Sequence, residues 1–168
     1  MPRNPIVAFA LLAGLGALAQ VNEKEPAWAL KFSDFAVLES FHGKTAKPIL
    51  TTRSQRTFRS AITQAAAKGP NFAGHYTIAE WGCGSGCMSV AVVDAASGKV
   101  FSGPFKILSI PMAEGEGGHE YQGTVYQLKS RLFIADGCPQ EANCGTYYYE
   151  WNQDKFKQLR FDPASARK

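Results

Sequence analysis

The sequence predicts an α+β domain: a mostly antiparallel sheet built as a meander of hairpins, one N-terminal amphipathic helix packed on it, and two disulfides. Three observations carry that expectation. One stretch around residue 60 has helical apolar spacing, the second half of the chain reads as strand and turn throughout, and four cysteines fall in two close pairs.

The chain opens with "MPRNPIVAFALLAGLGALAQ", where Arg3 is the single charge before an apolar run from Ile6 to Ala19. Ala17 and Ala19 supply the small-x-small pattern of a cleavage site, so residues 1–19 read as a signal peptide cut after Ala19. The run is shorter than the roughly 20 residues that span a bilayer. The polar "QVNEKE" that follows lacks a basic stop-transfer flank, and no cysteine stands at the cut to carry a lipid. The expected location is periplasmic or secreted, with no membrane span in the mature chain.

Residues 20–27 read as a flexible polar N-terminus and residues 28–168 as a single domain, without repeat, low-complexity tract or linker. A domain of that size buries a core without depending on disulfides. The 18 basic and 14 acidic side chains are spread thinly, with no Lys/Arg cluster or stripe. That excludes a nucleic-acid footprint and leaves only a mild tilt toward anionic partners such as cell-wall polymers.

From Trp28 to Leu50 a mixed segment with Gly43 and Pro48 is expected to hold one or two short strands. The helix follows in "TTRSQRTFRSAITQAAAKGP". Thr52 and Gln55 have capping-box spacing, and Phe58, Ala61, Ile62 and Ala65 form one apolar stripe. Lys68 suits the negative end, Gly69 the left-handed cap, and Pro70 stops continuation. Arg53, Arg56 and Arg59 read as a solvated face. "GHYTIAEW" is a strand by composition. Three hairpins are expected after it, with turns at Asp94–Gly98, around Lys129–Ser130–Arg131, and at Asn152–Lys155.

The four cysteines, Cys83, Cys87, Cys138 and Cys144, form an even set in a chain read as exported, which points to two disulfides. Three pairings are possible. Local closure, Cys83 with Cys87 and Cys138 with Cys144, is expected because each pair encloses a segment rich in bend-forming residues. Reactive readings of "GCGSGC" fail on spacing. Ser85 lacks the glycines of a nucleophile elbow, C-x-x-x-C is not a thioredoxin motif, and no Lys-Ser/Thr follows the glycines as in a phosphate loop. Four-thiolate zinc would need spacings at or beyond the usual range and unoxidised thiols, so neither metal nor cofactor is expected.

Two constellations remain. His75 and His119, with Glu80, Glu114, Glu116 or Glu120 as carboxylate, would make an acid–base or metal-dependent site; His75, His119 and Glu120 are its catalytic candidates. No H-E-x-x-H spacing supports it, and a strand-end histidine beside a solvated Gly-rich loop explains the same residues. Tyr147, Tyr149 and Trp151 share one face of a strand and, with Tyr76 and Trp81, would form an aromatic binding platform, although such a row is more often simply a core face.

Gly69–Val100, "GPNFAGHYTIAEWGCGSGCMSVAVVDAASGKV", together with Gly137–Trp151, "GCPQEANCGTYYYEW", resembles an uncharacterised family of small exported bacterial proteins. The shared features are N-F-A-G-H-Y, W-G-C-G and the V-D-x-x-x-G-K turn. The resemblance implies export and a single domain; it carries no catalytic residues with it. The expectation is an exported, disulfide-stapled binding or inhibitory module that engages an envelope protein or glycan. The alternative is an envelope-directed hydrolase using His75 and His119.

Overall fold

The computed structural model describes residues 30–111 and 121–164. The expected signal peptide, the polar stretch 20–27, and His119 and Glu120 lie outside the described residues.

The helical segment is two consecutive pieces, α1 (Arg53–Thr57) and α2 (Arg59–Ala67), separated at Phe58, whose φ of −99° and ψ of 24° leave the helical well. The expected single helix is corrected by that break, which accompanies a stack of the Phe58 ring on Trp81 at 4.8 Å. Thr52 caps α1 by accepting from the Gln55 backbone N–H. Gln55 reaches back through Oε1, accepting from the N–H groups of Thr51 at 2.7 Å and Thr52 at 3.1 Å. Its Nε2 donates to the Val100 carbonyl at 3.2 Å, so the capping residue also docks the helix on the sheet. Gly69 follows α2 in the left-handed region, φ +87°.

Eight strands, all paired antiparallel, make up the sheet among the described residues: β1 (Tyr76–Gly84), β2 (Cys87–Asp94), β3 (Val100–Ser102), β4 (Leu108–Ser109), β5 (Gly123–Tyr126), β6 (Leu132–Pro139), β7 (Gly145–Asn152) and β8 (Lys155–Pro163). Their order is β1-β2-β4-β6-β7-β8, with β3 alongside β2 and β5 alongside β6. The three expected hairpins are present, but they are not a simple meander. Two-residue β4 pairs with Cys87–Met88 on one side and Cys138–Pro139 on the other, joining the two halves. Flanked by Pro104 and Pro111, it is too short to show period-2 alternation, so the sequence offers no strand signal there.

The sheet bends around one aromatic core. Tyr76, Ile78, Val90 and Val92 from the first half meet Phe133, Tyr149 and Trp151 from the second. At its centre lies Phe72, fully buried, with Phe133 and Trp151 edge-on at 6.1 and 6.4 Å. On the opposite face of the first half, Ile62 and Ala66 of α2 cover Ala79, Ala91 and Val93. Even-numbered residues of β1 therefore face the aromatic core and odd-numbered ones face the helix, as strand alternation requires.

The segment expected to carry short strands instead holds a 3-10 turn, Phe32–Phe35, and isolated bridges Ala36↔Ser130 and Ile49↔Lys99. It wraps the Lys129–Arg131 turn, which buries Ser130: the Ser130 hydroxyl donates to the Phe32 carbonyl at 2.8 Å. The N-F-A-G-H-Y element is a tight turn with Ala73 at φ +44° and Gly74 at φ +82°. A Cβ on Gly74 would lie 2.4 Å from the Glu39 carbonyl oxygen, so position 74 excludes any side chain. Asn71 exchanges two bonds with Ile78, accepting its N–H at 2.7 Å and donating to its carbonyl at 3.3 Å, and so covers the open edge of β1.

Candidate functional site

Both local disulfides are formed, Cys83–Cys87 and Cys138–Cys144. The first closes the tip of the β1–β2 hairpin beside a bulge between Gly82 and Gly84. The second closes the β6–β7 connection, where Gln140, Glu141 and Asn143 sit at φ +50°, +61° and +47°. A non-glycine residue in that region costs about 1–2 kcal/mol. The staple therefore holds a turn that an unconstrained chain would relax.

The two stapled turns meet at one cleft of about 650 Å³. Cys83 stands on its rim from the first turn and Gln140 from the second. The cleft exists because β2 changes partner along its outer edge: β3 pairs with Ala91–Val93 and β4 with Cys87–Met88. Ser89 and Val90 between them face the loop Gly103–Ile107 instead of a strand. That loop is pinned at three points. Gly103 N–H donates to the Val90 carbonyl at 3.2 Å, the Ser89 hydroxyl donates to the Lys106 carbonyl at 2.8 Å, and the Gln140 N–H donates to the Ile107 carbonyl at 3.1 Å. A Cβ on Gly103 would lie 2.3 Å from the Val90 side chain, so the loop approaches as closely as glycine permits.

The far wall is α1, and the stacked Phe58–Trp81 pair forms the apolar side. The Trp81 Nε1–H is shielded from water and has no acceptor. Ser54 and Ser102 bring hydroxyls, Gln140 an amide and Lys106 an ammonium, while no Asp or Glu lines the cleft. A largely pre-formed apolar recess with a few convergent polar groups is the usual form of a small-ligand site.

His75 occupies a different cleft, of about 610 Å³, bounded by the 36–39 segment, Arg131 and the β7–β8 tip. Its ring packs on Tyr76 at 4.0 Å. The carboxylate sharing that cleft is Glu39, for which no motif or spacing in the chain argues. Arg131 there is already engaged by Glu150 at 3.2 Å. Glu80, expected as a carboxylate partner for His75, stands five residues further along the chain, about 17 Å of extended strand. It is instead engaged by the Thr124 hydroxyl. Beside it, burial first and the Glu80 charge second push the Tyr126 phenol up to about 12. Among the described residues no three His, Cys, Asp or Glu side chains gather as a metal site.

The aromatic row is placed in the interior. Tyr147, Tyr149 and Trp151 are 9, 6 and 1 % exposed, and Tyr76 is 8 % exposed, so these four belong to the core, with Tyr76 and Trp151 also lining the floor of the His75 cleft. The reason is the bend of the sheet, which turns the shared face of β7 inward onto Phe72. Burial raises the Tyr76 phenol above its ordinary value, the adjacent Trp151 indole opposing the shift, and pushes Tyr149 up to about 12. Of the five expected binding aromatics, Trp81 alone lines the stapled cleft. Comparison of the chain with protein-family models, with curated proteins and with solved structures gives no match.

Proposed function

We propose that this chain is an exported binding module whose ligand, a fragment of envelope glycan, occupies the stapled cleft. The observation that carries this reading is the convergence of both disulfide-closed turns on one recess, Cys83 from one and Gln140 from the other, beside the stacked Phe58–Trp81 pair. Two local staples beside one cleft hold its shape without ligand, which lowers the ordering cost of binding. Two disulfides suit an oxidising compartment. Among the described residues no helix is long and apolar enough to cross a membrane.

The test is retention of envelope glycan fragments on the immobilised, oxidised chain and on Trp81→Ala. Retention by the first and its loss by the second support the reading. Equal retention by both places the ligand elsewhere and overturns it.

A further inference from the structure

The cleft's charge and hydrogen-bonding inventory narrows the ligand. Among the described residues its single ionised lining residue is Lys106, and no carboxylate lines it. The adjoining helical segment, residues 51–68, contains Arg53, Arg56, Arg59 and Lys68 and no acid, although none of these four lines the cleft. Among the described residues Arg53, Arg59 and Lys106 make no salt bridge. Glu141, next to Gln140 on the second stapled turn, is the nearby acid by sequence. A cationic side chain at a cleft favours ligands of the opposite sign.

The remaining groups suit a ring that carries hydroxyls. Phe58 and Trp81 offer flat apolar surface, while the Ser54 and Ser102 hydroxyls and the Gln140 side-chain amide have no protein partner among the described residues.

Resting on the cleft assignment above, we infer that the ligand is an acidic saccharide: a sugar ring against Phe58 and Trp81, bearing a carboxylate or phosphate held by Lys106. Neutral sugars leave the ammonium unused, and simple fatty acids leave the hydroxyls and amide unused.

The test is calorimetric titration of the oxidised chain with N-acetylmuramic acid and N-acetylglucosamine, which share a ring and differ by a lactyl carboxylate. Glucose 6-phosphate against glucose asks the same of a phosphate, and octanoate supplies an anion without ring hydroxyls. At least one acidic sugar is expected to bind about 5-fold or more tighter than its neutral counterpart, the scale of one charge-assisted contact at a partly open site. In Lys106→Gln, an exposed position, the gap is expected to fall below about 2-fold, and raised salt is expected to shrink it likewise. Equal affinity for acidic and neutral sugars overturns the inference, as does octanoate binding more tightly than either acidic sugar. If no sugar binds while other envelope fragments still require Trp81, the ligand class is wrong and the cleft assignment stands. If acidic sugars bind Trp81→Ala undiminished, the cleft assignment itself fails.

Discussion

Trp81→Phe separates what Trp81 does for the fold from what it does for a ligand. The indole stacks on Phe58 at 4.8 Å and carries a buried N–H with no acceptor. Phenylalanine keeps an aromatic ring in the stack and removes the orphan donor. Loss of roughly 30 Å² of apolar surface costs about 0.8 kcal/mol at about 25 cal/mol per Å². Removal of an unpaired buried N–H recovers about 1–3 kcal/mol. The two terms oppose, so the expected net change lies between neutral and about 2 kcal/mol stabilising. Trp81→Ala removes the ring as well and is expected to lose about 2 kcal/mol or more, as large-to-small aromatic truncations do. Urea unfolding followed by far-UV circular dichroism measures both without relying on the altered fluorophore. A loss of more than about 2 kcal/mol in Trp81→Phe would falsify the reasoning, because the N–H would then have to be making a bond the protein needs. Ligand affinity should fall less in Trp81→Phe than in Trp81→Ala, because phenylalanine keeps a ring at the cleft for a sugar to pack on.

Further outcomes follow from the same geometry. Replacing Cys138 and Cys144 by serine opens a turn with a sequence separation of 6. The loop-entropy term alone is about 2 kcal/mol, so Tm should drop by about 4–8 °C. An unchanged Tm would show that the staple holds nothing the hairpin lacks. Gly74→Ala, at φ +82° and with a Cβ 2.4 Å from the Glu39 carbonyl oxygen, should destabilise by about 2 kcal/mol or more; a change under about 0.5 kcal/mol in urea unfolding would contradict the tight turn. The buried Tyr149 phenol is pushed up to about 12, so across the range from 10 to 12 the unfolded chain releases this proton while the folded one keeps it. Stability is thus complete below about pH 10 and falls as pH rises toward 12, by up to about 2–3 kcal/mol from this group. Urea midpoints that do not move between about pH 9 and pH 11.5 would refute that burial.

Local signals in the chain translated well into local structure. The Thr52–Gln55 box, the Gly69 cap and the short-range cysteine pairs are contacts between residues a few positions apart, and the chemistry of each is written in its spacing. What the sequence did not disclose are the consequences of the bend. Tyr147, Tyr149 and Trp151 show alternation, but whether their face meets solvent or core depends on Phe72, far earlier in the chain. The stapled cleft shows the same limit. Trp81 was legible as an aromatic of interest, whereas Phe58 reads only as part of a helical stripe. Lys106 and Gln140 reach the cleft because β4 joins the two half-sheets, a two-residue pairing with no periodicity of its own.

The most direct measurement is a backbone and indole amide map by NMR, with the isotope-labelled oxidised chain titrated with N-acetylmuramic acid. Shifts are expected to cluster at Ser54–Phe58, Trp81–Cys83, Gly103–Ile107 and Gln140, with the Trp81 indole resonance moving as the sugar packs on its ring. Shifts confined to the His75–Glu39 cleft, or a Trp81 indole resonance that stays fixed while the sugar binds, would contradict the assignment of the stapled cleft as the binding site.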